Sequence, residues 1–202
     1  MASPHTPEGD ALAERRVARR RALLDAGVGL LGAPDGPAVN VRSVCRSTSI
    51  TERYFYETFG SRDEYVRAVY HDVSEQARAA LAGTVAAHGG ETADLARAAV
   101  DAFVGLMIER PERGRVLLLA PYRDGALSAL GLGHMPDFFA LVEATLPRGG
   151  PPQERALTAV ELVGALTALF TQFLTDGLPV GRDALVGHCV AMLTAAAERV
   201  AG

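Results

Sequence analysis

Thr51, Arg53, Tyr54 and Tyr56 stand within six residues of one another, and their side chains are of the kinds that hydrogen-bond to phosphate oxygens and to base edges. Placed on a helix at about 100° per residue, with Phe55 toward the core, Phe59 and Thr51 fall within roughly 40° of it. Arg53 and Glu57 then lie nearly opposite the core, at about 160° and 200°, and Tyr54 and Tyr56 flank them at about 100° to either side. The outward side of residues 51–59 is an arginine between two tyrosines, which is the chemistry of a helix that reads DNA. Arg53 and Glu57 are also spaced i,i+4, so an ordinary surface ion pair accounts for the same two residues.

A reading face needs elements to hold it out. Asn40 can cap a preceding helix that carries Val41, Val44 and Cys45 on one side while Arg42 and Arg46 point elsewhere. Ser47-Thr48-Ser49 compete with the backbone for hydrogen bonds and favour a turn, after which Thr51 caps the second helix. Gly60 stops that helix, and Ser61-Arg62-Asp63-Glu64 has the spacing of a capping box at the start of a third. Two short helices, a tight turn and a third helix make a helix-turn-helix. Short amphipathic helices occur in any all-α protein, so the distribution of charge is a separate test. Residues 15–62 hold nine Arg against four acids, a net of +5, while the chain carries −4, which leaves −9 on the rest. The positive charge is concentrated where phosphates would be neutralised, within a chain whose pI of 5.7 argues against nucleic acid.

Residues 16–72 resemble the N-terminal region of the tetracycline-repressor (TetR) family of bacterial transcriptional regulators. That region has a helix ending near a glycine, a short loop, a helix of the form V-R-x-[IV]-[AC], a turn, then S/T-x-x-x-[LF]-Y-x-x-F-x-S-[KR]-x-E-[LY]. Here these read as residues 23–32, Val41-Arg42-Ser43-Val44-Cys45, Thr51 through Phe55-Tyr56 to Phe59, and Ser61-Arg62-Asp63-Glu64-Tyr65. The resemblance implies an all-α protein with a three-helix DNA-binding head and a C-terminal helical body for ligand binding and dimerisation. It places Thr51, Arg53, Tyr54 and Tyr56 on the recognition helix and Arg42 and Arg62 on phosphates. Two positions depart from the pattern. Thr58, counted on the DNA-binding face, stands where the family often has His or Tyr, and Ser49 stands where it usually has Gly. A non-glycine residue at positive φ costs on the order of 1 kcal/mol.

Around the head, residues 1–10 are expected to be disordered, residues 11–72 to form the DNA-binding domain and residues 73–202 the ligand-binding and dimerisation domain. A first helix is expected over residues 11–31, with Val17, Leu24, Val28 and Leu31 on its apolar side and Arg15, Arg16, Arg19, Arg20 and Arg21 available to phosphates or the minor groove, or simply solvated. A rod over residues 62–88 joins head to body. Further helices are expected near 92–108 and 111–120, over 126–146 with weak points at Gly131, Gly133 and Pro136, and over 153–175 and 182–200.

Residues 156–174, in the first of the last two, are apolar enough to raise the question of a membrane. Glu161, Thr158, Thr167, Thr171 and Gln172 make insertion costly. Gly164 with Ala168, and Gly187 with Ala191, are small residues at i,i+4 that let helices approach closely. Helices 153–175 and 182–200 are therefore expected to pair with their copies in a homodimer, with an intramolecular core as the alternative and no membrane partner. Phe103, Met107, Phe138 and Phe170, with His134 beside Pro136, are candidates to line a cavity for a small apolar or amphipathic effector. In an average protein the phenylalanines and Met107 read first as core, and His134 reads equally as a surface histidine.

Residues 1–22 hold charges and no apolar stretch, and Cys45 and Cys189 are far apart, so a cytoplasmic protein with two buried thiols is expected. No nucleophile elbow, Gly-rich phosphate loop or zinc spacing is present; His71 and Glu75 at i,i+4 are a weak metal pair, and no cofactor or metal is expected. Three readings stay open: a ligand-responsive repressor on a palindromic double-stranded DNA operator, a helical small-molecule-binding protein without DNA binding, and a small all-α enzyme.

Overall fold

The computed structural model describes residues 7–34, 39–87, 92–128, 130, 135–148 and 151–201, and its regular elements among them are all helices. Helix α1 (Pro7–Leu31) is followed by α2 (Val41–Thr48), α3 (Glu52–Phe59) and α4 (Arg62–Ala87), and these four make the head and the rod. Helix α1 begins within the segment expected to be disordered. Pro7, which has no N–H to leave unpaired, is suited to a first helical position. The expected disorder of residues 1–6 lies outside the described residues. Only the second half of α1 is packed, through Leu23, Leu24 and Val28, whereas Val17, expected on the apolar side, is 70% exposed.

The head closes as its capping residues dictate. Asn40 Oδ1 accepts from Ser43 N at 2.9 Å, Thr51 Oγ1 from Tyr54 N at 3.4 Å, and Ser61 Oγ from Glu64 N at 3.1 Å. Gly60 ends α3 at φ 73°, a conformation that suits glycine, and donates its N–H to Tyr56 O at 2.9 Å. Ser49 does adopt the left-handed conformation, φ 56° and ψ 25°, without a glycine's freedom. Beneath the turn the rings of Phe55, Phe59 and Tyr65 pack with centroids 4.9–5.7 Å apart, and the Tyr65 hydroxyl donates to Leu23 O at 2.6 Å, pinning α4 to α1.

The body consists of α5 (Thr92–Met107), α6 (Pro111–Leu118), α7 (Ala120–Arg123), α8 (Met135–Thr145), α9 (Pro152–Leu174) and α10 (Arg182–Ala201). The expected helix over 111–120 is two helices. Pro121 cannot donate to the carbonyl of Leu117, so α6 ends and a short turn restarts as α7. The expected helix over 126–146 does not begin at residue 126: residues 125–127 form a turn, with Asp124 O accepting from Leu127 N at 2.9 Å, and among the described residues α8 carries Pro136 in its first turn, where its missing N–H costs nothing. One buried cluster runs from Leu23 and Phe55 in the head through Val73 and Ala77 on α4 to Val100, Phe170 and Cys189 in the body. The boundary expected at 72/73 falls in the middle of α4, inside that cluster.

Helices α9 and α10 bury one side and leave another open. On α9, Leu157, Val160, Glu161, Gly164 and Ala168 share an exposed face; on α10, Ala184, Gly187, His188, Ala191 and Ala195 do the same. Arg199 on α10 donates to Glu161 on α9 at 2.8 Å across the edge of that surface. Both helices are long and apolar enough to cross a membrane, with only a third of their most apolar stretch buried.

Candidate functional site

On the head, four of the seven candidate residues share the open surface of α2 and α3. Arg53 is 88% exposed and its Nε donates to Glu57 at 2.8 Å, a bond that raises the guanidinium's pKa. Arg42, 86% exposed, reaches Glu52 at 3.9 Å and so lies beside the start of α3. Tyr56 is exposed, and Thr51 caps the helix at its outer edge.

The other three are engaged elsewhere. Tyr54 turns toward α1, donating its hydroxyl to Arg16 O at 3.3 Å with the Arg19 guanidinium 5.3 Å from its ring centroid. Thr58 spends its hydroxyl on Tyr54 O at 2.8 Å, within its own helix. Arg62, expected on phosphate, donates to Val39 O at 2.9 Å and to Asp63 at 3.0 Å, and forms a two-pronged ion pair with Asp124, Nη1 to Oδ1 at 2.9 Å and Nη2 to Oδ2. The arginines of α1 divide in the same way. Arg20 covers the Phe59 ring, Arg21 pairs with Asp25 and Asp72, and Arg15 and Arg16 remain solvent-facing.

In the body, α4, α5, α6, α7, α8, α9 and α10 line a partly open cavity of about 570 Å³. Of the expected lining residues Phe103, Phe138 and Phe170 are there, with Phe103 and Phe170 at 4.9 Å between centroids. Met107 is not. It is 1% exposed in the core, its carbonyl against Gly114 of α6, where an added Cβ would come within 2.4 Å. His134 lies outside the described residues. Nothing local marks Tyr70, Leu118, Tyr122, Val163 or Leu193 as wall residues, since each continues an ordinary apolar or turn pattern and only tertiary packing brings them together. Burial, with Tyr122 nearby, pushes the Tyr70 phenol up to about 12, so it remains a neutral hydroxyl at neutral pH.

The stretch from α6 to Asp124 touches both regions. Leu117, Leu118, Pro121 and Tyr122 line the cavity. From the same stretch Arg115 donates to Gly32 O at 3.4 Å, Arg123 to Pro34 O at 3.2 Å, and Asp124 holds Arg62 at the first residue of α4. The Arg62 bonds, helped by the Ala126 N–H at 3.0 Å, keep the Asp124 carboxyl below the usual aspartate range. Asp124 lies 62 residues from Arg62, and no local motif signals the pair. Among the described residues no three His, Cys, Asp or Glu side chains converge as metal ligands.

No family model matches the chain, and no curated protein does. Solved structures do match. A TetR-like transcriptional regulator from Rhodococcus sp. RHA1 is 20% identical with a TM-score of 0.64, over 87% of this chain and 93% of that one. A TetR-family regulator from Marinobacter aquaeolei VT8 is 15% identical with a TM-score of 0.64, over 91% and 97%. The TetR-family repressor AlkX from Dietzia sp. strain DQ12-45-1b, implicated in biodegradation of n-alkanes, is 18% identical with a TM-score of 0.57, over 91% and 97%. The all-α fold is the one these regulators share.

Proposed function

We propose that this chain, built on the TetR-type fold, is a ligand-responsive DNA-binding transcriptional regulator and not an enzyme: a cytoplasmic homodimeric repressor released from a palindromic operator by a small apolar or amphipathic effector. The observation that carries the reading is the joining of two sites by one stretch of chain. Residues 115–124 line the effector cavity at Leu117, Leu118, Pro121 and Tyr122 and grip the head at Gly32, Pro34 and Arg62. A ligand that prefers a different placing of α6 and α7 must shift the head, and by linkage DNA binding must weaken ligand binding by the same factor.

On DNA, Arg53 reads base edges once its bond to Glu57 is exchanged for a base, and Arg42 and Tyr56 hold phosphates. The exposed faces of α9 and α10 pair with their copies in a four-helix bundle, which gives the two-fold symmetry that a palindrome requires. The test is a mobility shift with a duplex from the chain's own upstream region, at two salt concentrations and against random DNA of equal length. Tighter binding to the upstream duplex supports the reading; equal or absent binding sinks it in favour of a helical small-molecule carrier.

A further inference from the structure

The first half of α1 projects beyond the head. Every residue from Ala11 to Arg20 is exposed, a run of about 15 Å at 1.5 Å per residue, and the first buried residue after them is Leu23. Taken at about 100° per residue from Arg15, Arg19 falls at about 40°, Arg16 at about 100° and Arg20 at about 140°, so four arginines share one side of this overhang. Leu23, fully buried under the head, falls at about 80°, in the middle of the stripe. The stripe therefore faces the way the head packs, toward α3. There the Arg16 carbonyl accepts the Tyr54 hydroxyl at 3.3 Å, and the guanidinium carbons of Arg19 and Arg20 lie 5.3 and 5.4 Å from the ring centroids of Tyr54 and Phe59. Glu14 falls behind the stripe, at about 260°, and Glu8 and Asp10 precede Arg15 by seven and five residues. Among the described side chains no carboxylate pairs with Arg15, Arg16, Arg19 or Arg20, whereas Arg21, on the other side of the helix, holds both Asp25 and Asp72.

We propose that this stripe is a second contact with DNA: Arg15, Arg16, Arg19 and Arg20 neutralise phosphates of the backbone beside the groove that α3 enters, adding affinity without adding sequence preference. The inference rests on the regulator reading for the placing of α3 on a duplex. Charge and continuity carry it. A solvated helix mixes its charges around the axis, whereas here the cations gather on the side that adjoins the reading helix and the acids lie behind or before them. Tyr54 is the bridge, since it flanks Arg53 on α3 and engages Arg16 and Arg19 on α1. Resting over the Tyr54 and Phe59 rings restrains the Arg19 and Arg20 guanidiniums while both side chains stay exposed, so little freedom is lost when a phosphate oxygen arrives. Arg15 to Arg20 spans about 7.5 Å along the helix axis, which matches two to three successive phosphates at about 3.4 Å of duplex per strand.

The test compares the full-length chain with Arg15→Gln/Arg16→Gln/Arg19→Gln, which spares Arg20 because it covers the Phe59 ring. Affinity for the upstream duplex and for random DNA of equal length is measured between about 50 and 200 mM salt. On both duplexes the salt slope should become shallower by about one unit for each arginine engaged, two or more in all, while the ratio of the two affinities stays as in wild type. Hydroxyl-radical footprints should lose protection beside, and not within, the bases whose substitution weakens binding. Arg15→Lys/Arg16→Lys/Arg19→Lys keeps the charge and should keep the wild-type slope, which separates phosphate neutralisation from fraying of α1. An unchanged slope in the glutamine variant, an altered affinity ratio, protection lost within those bases, or a lysine variant as impaired as the glutamine one would each overturn the stripe's role and leave the regulator reading standing. A wild-type protein that binds both duplexes alike, with the slope still lost in the glutamine variant, would remove the regulator reading and uphold the phosphate contact. A protein that binds no DNA removes both.

Discussion

At the scale of single residues, exposure separates side chains that can meet DNA from those already committed. Arg53, with only Glu57 to release, should read bases: Arg53→Ala is expected to cost about 1–3 kcal/mol on the upstream duplex and to relax its sequence preference, as measured by competition with mutated duplexes. Arg42→Ala should weaken all sequences alike and reduce the salt slope by about one unit. Equal losses on specific and random DNA from both variants would refute the division of labour. The head's exposed face was legible because exposure followed the helical period at Arg53, Tyr56, Phe55 and Phe59. Tyr54, Thr58 and Arg62 were not legible in the same way. Each has a hydrogen-bonding group that a nearer partner claims, and the sequence does not show that Arg16 O, Tyr54 O or Asp124 will arrive there.

At the scale of elements, the turn between α2 and α3 and the junction of α7 with α4 each make a measurable statement. Ser49 holds φ 56° without glycine's freedom, so Ser49→Gly should stabilise the protein by a few tenths of a kcal/mol in denaturant unfolding, the relief of about 1 kcal/mol of strain being partly offset by the entropy that glycine adds to the unfolded chain. An unchanged or lower midpoint would show that the strain relieved does not exceed that entropy. Asp124, with its side chain 10% exposed against an Arg62 that is 28% exposed, is a partly buried charged pair; Asp124→Asn should cost about 1–3 kcal/mol near neutral pH. Because the folded carboxyl titrates below its unfolded value, this contribution is complete above about pH 4 and is lost as pH falls through the lower folded value. Stabilities of wild type and Asp124→Asn should therefore converge in acid; a gap that persists or widens would assign the effect to packing. The break between α6 and α7 and the turn before Ser128 escaped the sequence reading. Proline breaks a helix or opens one, and which of these Pro121 does is decided by the fold.

At the scale of the whole molecule, the proposed homodimer rests on the open faces of α9 and α10. Gly164 and Gly187 have nothing within 4 Å of where a Cβ would stand, so a larger residue there disturbs no contact within the chain. Gly164→Glu should leave the fold intact by circular dichroism and yield monomers by light scattering, with weak binding to the upstream duplex. An unaltered dimer, or a wild-type monomer, would remove this interface. The small residues at i,i+4 made the surface legible, whereas the cavity was legible only in part. Phe103, Phe138 and Phe170 announced themselves as aromatic, but whether an aromatic meets a void or, like Met107, another helix is decided by seven helices at once. The buried cluster that passes from Phe55 through Val73 to Cys189 has a thermodynamic consequence for how the chain comes apart. With no plane along which apolar contacts cease, head and body should melt together in one calorimetric transition, and a fragment cut after residue 72 should neither fold nor be rescued by operator DNA.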